Sequence, residues 1–167
     1  MTAQAQTIQW KEHHPCTIGV ISDTHGLLRP EVMTSFEGVD LILHAGDVGG
    51  PEVIDHLESV APLVVVRGNM DYGAWAERLP VSTSIAIGKT KLFIIHDIEW
   101  IDDQVALQDH QVIITGHTHR ALIHKQDNVL FVNPGSAGPR RNLNSASIGK
   151  IFLRNGRLNA RLVELNA

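Results

Sequence analysis

The sequence predicts an α/β protein in which two mixed sheets pack as a four-layer-type β-sandwich flanked by helices. Short apolar, β-branched runs recur through the first two thirds of the chain, and stretches with helical spacing lie between several of them. After Gly116 the pattern changes to strands of alternating polarity. Together these observations favour sheets with helices on their outer faces.

The elements follow in order along the chain. Five early runs have the length and composition of buried strands, namely residues 17–22, 41–45, 63–66, 92–95 and 112–115. Apolar spacing predicts helices over 29–37, 51–60 and 100–109, the second of them opened by Pro51. Later strands are predicted over 121–124, 129–132, 147–153 and 158–165. The last two flank Asn155-Gly156, a dipeptide typical of a hairpin turn.

The composition indicates the number of domains and disfavours some classes of partner. The chain has 167 residues, 43% of them hydrophobic, which is typical of one domain spanning residues 1–167. A formal charge of −4 disfavours nonspecific nucleic-acid binding, and no specific nucleic-acid motif is evident. The chain has one cysteine and no long apolar run, so we expect a cytoplasmic protein without a membrane partner. The polar residues 1–14 are expected to form a loosely held arm, and nothing in the pattern indicates an oligomeric state.

Potential metal ligands lie close to the carboxyl end of every early strand. They are Asp23, His25, Asp47, Asn69, His96, His117 and His119. Because the carboxyl ends of strands in such sheets face one crevice, we expect these side chains to converge. Gly46, Gly68 and Gly116 each precede a ligand, which predicts tight turns and close backbone approach.

The ligand types indicate which metals fit. Asp23 and His25 are two residues apart, as are His117 and His119, so in extended backbone both members of a pair project to one side. Four histidines, two aspartates and one asparagine favour Mn, Fe, Co, Ni or Zn over Ca or Cu(I). Seven ligands exceed the needs of one tetrahedral zinc and suit two adjacent divalent ions that share a carboxylate.

The predicted charge of such a centre indicates its substrate. Two divalent ions, the carboxylates of Asp23 and Asp47 and a bridging hydroxide sum to about +1, and this charge attracts anions. Paired ions lower the pKa of a shared water and stabilise the attacking and leaving oxygens of an in-line displacement. We therefore predict the hydrolysis of a small phosphate ester.

The motifs, read together, carry a family resemblance. The chain has Asp23-Thr24-His25, Gly46-Asp47, Gly68-Asn69-Met70-Asp71, His96 and Gly116-His117-Thr118-His119. This series resembles the calcineurin-like metallophosphoesterase superfamily, whose pattern is D-x-H, G-D, G-N-[HC]-[DE], H and G-H-x-H. The short chain and Asn133-Pro134-Gly135-Ser136 are most similar to its small single-domain bacterial and archaeal phosphodiesterases. Each motif alone is weakly specific, but five in order are a strong signal.

The resemblance implies a helix-flanked β-sandwich and a phosphoesterase that commonly uses manganese. It assigns Asp23, His25 and His119 to one metal, Asn69, His96 and His117 to the other, and Asp47 to both. In the implied reaction a metal-bridging hydroxide attacks phosphorus, and we expect a diester substrate rather than a monoester. No side-chain acid is assigned.

Two residues depart from the family pattern. Met70 stands where many members have a histidine that helps the leaving group, and methionine cannot transfer a proton. We therefore predict slow hydrolysis of esters with poor leaving groups and faster hydrolysis of activated aryl esters. Asp97 follows His96 where glycine is usual, and this carboxylate could support a ligand or crowd the turn.

Supporting roles are predicted for residues near the ligands. His44 lies on the same strand as Asp47 but in a different phase, so we expect it to support the site or to be a buried structural residue. Asp71 could orient a ligand, although capping of the following helix is the simpler expectation. The family resemblance places the loop at Ser136 near the metals. Predicted substrate contacts are therefore Asn69, Ser136, Arg140 and Arg141.

A noncatalytic protein-interaction scaffold is the alternative function. A retromer subunit with this fold works through protein surfaces and has lost part of the ligand set. This chain keeps all seven positions, which favours the enzyme.

Overall fold

The computed structural model describes residues 4–8, 15–102, 109–141 and 143–166. These residues form two mixed sheets, as predicted. The strands are β1 (Gln4–Ile8), β2 (Cys16–Ile21), β3 (Leu41–His44), β4 (Leu63–Val65), β5 (Ser82–Ile87), β6 (Thr90–Ile95), β7 (Val112–Ile114), β8 (Leu122–Gln126), β9 (Val129–Asn133), β10 (Ser147–Arg154) and β11 (Arg157–Glu164). The helices are α1 (Pro30–Ser35), α2 (Pro51–Glu58) and α3 (Ala74–Glu77), with a 3-10 helix at Ile98–Trp100.

The sheets have different strand orders. The six-stranded sheet runs β1-β5-β6-β7-β9-β8, and the five-stranded sheet runs β11-β10-β2-β3-β4. Strands β2, β3 and β4 are parallel, as are β6, β7 and β9. The predicted ligands follow the carboxyl ends of β2, β3, β4, β6 and β7, so both sheets contribute to one edge of the sandwich.

The core lies between the two sheets. Ile18, Val20 and Leu43 from the five-stranded sheet face Ile94 and Ile114 from the other, and all five are fully buried. A second apolar cluster covers the outer face of the five-stranded sheet beneath α1 and α2. There the ring of Phe36 packs against Gly19, where a Cβ would lie 2.7 Å from the ring.

Some predicted elements differ from the structure. Residues 4–8, part of the segment expected to form a loosely held arm, pair in parallel with β5 as strand β1. Strand β5 and helix α3 are additional, although the alternating burial of β5 has the period of a half-buried strand. The predicted helix over 100–109 falls largely on residues 103–108, which lie outside the described part of the chain.

The predicted hairpin turn is confirmed. Asn155 and Gly156 have φ values of 50° and 73°, as a tight hairpin between β10 and β11 requires. Within the described residues, no helix is long and apolar enough to span a membrane.

Candidate metal centre

The backbone of the ligand loops is strained. Five of the seven predicted ligands have positive φ, at 55° for Asp23, 47° for His25, 53° for Asp47, 66° for His117 and 57° for His119. Such a conformation costs about 1–3 kcal/mol at each residue and persists only where the surroundings enforce it. Strained residues cluster at functional sites, so this concentration of positive φ values indicates such a site.

Three glycines allow the loops to approach one another. A Cβ at Gly46 would lie 2.8 Å from Nδ1 of His96. One at Gly68 would overlap both the carboxylate and the backbone nitrogen of Asp47, and one at Gly116 would overlap the hydroxyl of Ser22. The close approach predicted for these positions is therefore confirmed.

One group of ligand atoms surrounds the carboxylate of Asp23. Its Oδ1 lies 3.1 Å from Nε2 of His119 and 3.9 Å from Nε2 of His25. The two histidine nitrogens are 3.4 Å apart. Oδ2 of Asp23 instead accepts hydrogen bonds from the Ser22 hydroxyl at 2.5 Å and the His117 backbone N–H at 3.1 Å. These bonds hold the carboxylate with Oδ1 toward the two rings.

A second group forms around Asn69. Its Oδ1 lies 3.0 Å from Nε2 of His96 and 3.2 Å from Nδ1 of His117. Nδ1 of His96 donates to the Ala45 carbonyl at 2.7 Å, which leaves Nε2 as the nitrogen available to the site. The sequence separates these residues widely, and the loops bring them together.

Asp47 lies between the two groups. Its Oδ2 is 3.7 Å from Nε2 of His25 in the first group and 3.4 Å from Nε2 of His96 in the second. Its Oδ1 accepts the backbone N–H of Met70 at 2.8 Å, which fixes the direction of the carboxylate. A single oxygen therefore faces both groups.

These positions fit divalent cations. Two ligand atoms about 2.1 Å from one ion lie roughly 3.0–3.4 Å apart in octahedral or tetrahedral geometry, close to several of the distances above. The Asp23–His25–His119 and Asp23–Asp47–His96 sets each bring one ligand atom per residue within 4.8 Å of the others. Oδ1 of Asp23 is buried and accepts no hydrogen bond from the described residues. A bound cation would satisfy this oxygen.

The charge around His96 is consistent with that fit. Burial alone lowers the pKa of His96, but the hydrogen bond and charge of Asp47 outweigh burial and raise it above the ordinary value. Burial raises the pKa of Asp47, while the His96 hydrogen bond and the Met70 N–H lower it overall. The surroundings thus favour a carboxylate at Asp47 with positive charge beside it.

His44 is a buried structural residue. Its Nδ1 accepts the Gly46 N–H at 3.1 Å, and its Nε2 donates to the Thr24 hydroxyl at 2.9 Å. That hydroxyl donates in turn to the Val48 carbonyl. Burial lowers the pKa of His44 to about 4, so the ring is neutral at pH 7 and ties β3 to the ligand loops.

Asp71 has a different role from the predicted helix cap. Gly73 is the N-cap of α3, and that helix receives no side-chain cap. The Asp71 carboxylate instead accepts the backbone N–H groups of Val48, Gly49 and Gly68 at 3.2, 2.9 and 2.9 Å. It therefore fastens the loop of Asp47 to the loop of Asn69.

Asp97 supports the site from the neighbouring loop. One oxygen accepts the N–H of Glu99 and begins the 3-10 helix. The other lies 3.5 Å from Nε2 of His117, the ring nitrogen that faces away from Asn69. A carboxylate in this position orients an imidazole ligand.

The predicted substrate contacts differ in their position relative to the pocket beside the ligands. Arg141 lines a surface pocket of about 550 Å³ together with His117, His119 and Arg120, whereas exposed Arg140 does not line it. Ser136 is buried and its hydroxyl donates to the Asp23 carbonyl at 3.0 Å, so it holds the ligand loop.

The sequence pattern did not single out Ser22 or Arg120, and it indicated Asn133 only as part of a turn motif. Ser22 bonds Asp23, Asn133 donates to the Gly116 carbonyl at 2.8 Å, and Arg120 lines the pocket. The positions of Ser22 and Arg120, directly beside ligands in the sequence, were the only signal for them.

The comparison with known families agrees with the geometry. Residues 17–154 match the family model described as the calcineurin-like phosphoesterase superfamily domain. The chain belongs to this superfamily. It is 39% identical to a probable metallophosphoesterase of Methanocaldococcus jannaschii over 132 residues, which is 71% of this chain and 67% of the relative.

Solved structures show the same fold. An archaeal phosphodiesterase superposes with a TM-score of 0.73 at 25% identity, over 88% of this chain and 99% of the other. Vps29 from Chaetomium thermophilum gives a TM-score of 0.72 at 22% identity, over 90% and 97% of the two chains. The second likeness concerns the fold alone.

Proposed function

We propose that the protein is a phosphodiesterase that binds two divalent metal ions and hydrolyses a small phosphate ester. The position of Asp47 carries this proposal, because one carboxylate oxygen lies within 3.7 Å of ligand nitrogens from both groups. Asp23, His25 and His119 would hold the first ion, and Asn69, His96 and His117 the second. When bound, the two ions supply Lewis acidity that activates water and neutralises charge on the phosphoryl oxygens.

The chain itself would position the ester. His117 and His119 lie on the wall of the pocket that Arg120 and Arg141 extend. A guanidinium group pairs well with phosphate oxygens, so these arginines would hold the phosphoryl group beside the ligands. Supporting contacts from Ser22, Asn133 and Asp97 would keep the ligand side chains in place during turnover.

Charge supports a diester. Two divalent ions, the carboxylates of Asp23 and Asp47 and one hydroxide would sum to about +1, and this charge matches the single negative charge of a diester. The solved structure with a TM-score of 0.73 and 25% identity is that of an archaeal phosphodiesterase. The nitrogen and oxygen donors are those of manganese and its neighbours in the first transition row, and we propose manganese as the resident metal.

Met70 would determine which leaving groups depart. Its side chain is 50% exposed, and its sulfur lies 4.0 Å from the Tyr72 hydroxyl. A thioether donates no proton, so an alkoxide would leave without help at this position. An aryl oxyanion needs little protonation and would leave readily.

Metal-dependent turnover is the direct test. We expect bis(p-nitrophenyl) phosphate to be hydrolysed by protein supplied with manganese, and activity to disappear with a chelator and return with added metal. Activity that is unchanged by chelation would contradict the proposal.

The leaving-group preference has its own test. We expect methyl p-nitrophenyl phosphate to lose p-nitrophenol readily, while dimethyl phosphate is not detectably hydrolysed. Met70→His should raise the rate on a weakly activated alkyl ester more than the rate on the aryl ester. Similar rates for aryl and alkyl esters in the unaltered protein would contradict the role of Met70.

A scaffold without catalysis would leave the ligand positions free to change. The described ligand groups instead have strained backbone at five residues and buried carboxylates at Asp23 and Asp47, and a bound ion would offset the free energy that these features cost. These features favour the enzyme.

A further inference from the structure

The outer face of the β10–β11 hairpin carries a row of cations. Residues directly opposite each other in an antiparallel pair share a face. The pairs on this face are Arg154 with Arg157, Phe152 with Asn159, and Lys150 with Arg161. We call these six residues the hairpin ladder. The alternate residues, such as Ile151 and Leu153, point into the core between the sheets.

The ladder is costly for the fold. Two of its three pairs place like charges directly across from each other, and such pairs are destabilising. Among the described residues, no acidic side chain forms an ion pair with any of its four cations. The chain as a whole has a formal charge of −4, so this concentration of positive charge is local.

An aromatic ring lies at the centre of the ladder. Phe152 is half-buried, and the guanidinium of Arg161 lies 5.2 Å from its ring centroid. Phe152 also lines an open surface depression of about 790 Å³ with Arg154, Asn155, Arg157 and Asn159. The ladder therefore offers a flat apolar ring, guanidinium forks and amides in one concave site.

This site is remote from the metal centre. Phe152 pairs with Thr17 near the start of β2, whereas Asp23 follows the other end of that strand. Six residues of extended chain span about 20 Å, so one small substrate cannot occupy both places.

We propose that the hairpin ladder binds single-stranded nucleic acid. Guanidinium groups that have no acidic partner among the described residues suit backbone phosphates, and an aromatic ring flanked by arginine suits an unstacked base. A duplex would present phosphates without exposed base faces, and an acidic peptide would make no use of the ring. The site does not depend on the proposed hydrolysis.

Binding to a fluorescein-labelled 12-nucleotide single strand of DNA tests the proposal. Anisotropy is measured on the full chain with excess chelator, so no hydrolysis contributes. We expect a Kd in the micromolar range at low salt, with log K falling against log salt with a slope of about −2 to −3 for three to four phosphate contacts. The corresponding duplex should bind at least about fivefold more weakly.

Two variants and a control locate the site. Arg157→Glu should weaken binding about tenfold and reduce the salt slope by about 1, and Phe152→Ala should weaken binding about tenfold with the slope unchanged. Arg78→Glu changes the net charge equally at an exposed position after α3 and should bind like the unaltered chain. Arg154→Gln provides a milder change if Arg157→Glu unfolds, which thermal denaturation would reveal.

Several outcomes would overturn the proposal. They are equal binding by the ladder variants and the unaltered chain, equal weakening by Arg78→Glu, and displacement of the strand by polyglutamate at the same charge concentration. Displacement by AMP at the same nucleotide concentration would assign the site to a free nucleotide and would equally overturn it.

Discussion

The core between the sheets and the ligand-bearing edge of the sandwich bury different kinds of side chain. In the core, regular strands bury apolar side chains such as Ile18 and Ile114 completely. At the edge, Asp23, His44 and His96 are just as fully buried, although each is polar or titratable. The backbone there is strained at five of the predicted ligands.

This difference shows that the core stabilises the fold, whereas the edge lowers its free energy of unfolding. Burial of apolar surface stabilises the core by about 25 cal/mol per Å². Buried carboxylates and positive φ values cost free energy at the edge, and they persist because rigid strands hold the loops from both sides. Changes at the edge should therefore alter function far more than changes of equal chemistry elsewhere.

The largest expected effect follows from replacing Asp47. Asp47→Asn removes the charge that faces both ligand groups, so the kcat on bis(p-nitrophenyl) phosphate with manganese should fall by about a thousandfold or more. Asp127→Asn makes the same chemical change in the exposed β8–β9 turn, where φ is 49°. This control should keep its activity. Comparable losses of kcat in both variants would contradict a special role for the position of Asp47.

Two glycine substitutions compare backbone approach at the edge with an open position. Gly68→Ala introduces a Cβ that overlaps the Asp47 carboxylate and backbone nitrogen, whereas Gly50→Ala meets only the flexible end of Glu52. Urea unfolding should show a loss of at least about 3 kcal/mol for the first and under about 1 kcal/mol for the second. Equal losses would mean that the loops are not tightly apposed.

The contribution of His44 to the stability of the fold depends on pH. Burial lowers the pKa of the folded His44 from 6.5 to about 4. Below pH 6.5 the unfolded chain takes up this proton while the folded chain does not, so stability decreases as the pH falls from about 6.5 to 4. The loss due to this residue is on the order of 3 kcal/mol.

Comparison with His44→Gln isolates the pH-dependent loss of stability that is due to His44, because all other titrating groups are common to both proteins. Chelator-treated samples are unfolded with urea at pH 7 and pH 4.5. The unaltered protein should lose about 2–3 kcal/mol more than the variant over this interval. A greater loss in the variant would show that His44 is protonated in the fold.

The smallest effect concerns Asp23 in the metal-free protein. Asp23→Asn keeps one oxygen for Ser22 and His117 and replaces the buried Oδ1, which accepts no hydrogen bond from the described residues. We expect the chelator-treated variant to be as stable as the unaltered protein or about 1 kcal/mol more stable. Manganese should raise the Tm of the variant less than that of the unaltered protein, because only the ion among Asn69, His96 and His117 keeps its full set of ligands. A much lower free energy of unfolding for the metal-free variant would contradict the view that the Asp23 carboxylate destabilises the fold when no ion is bound.

The sequence predicted the parts of the molecule that local patterns encode. Buried strands such as β3 and β7 appear as short apolar runs, and the predicted ligands appear as histidines, aspartates and an asparagine close after them. The short β1 and α3 have weak local patterns. Strand β1 pairs with β5, and Trp75 of α3 packs against the apolar cluster on the outer face of the five-stranded sheet. Their formation follows from tertiary context.

Within the site, residue identity was predictable and direction was not. Asp71 has the composition of a helix cap, yet its carboxylate binds the backbone of two loops. Ser136 lies near the ligands as expected, but its hydroxyl faces the backbone of Asp23. Spacing along the chain gives no information about which way a side chain turns within a loop.

The central claim is that two ions bind on either side of Asp47. Anomalous scattering from crystals grown with manganese tests it most directly. The account predicts two peaks, one among Asp23, His25 and His119 and the other among Asn69, His96 and His117, with Asp47 contacting both. A single peak, or no peak beside Asp47 at saturating manganese, would contradict it.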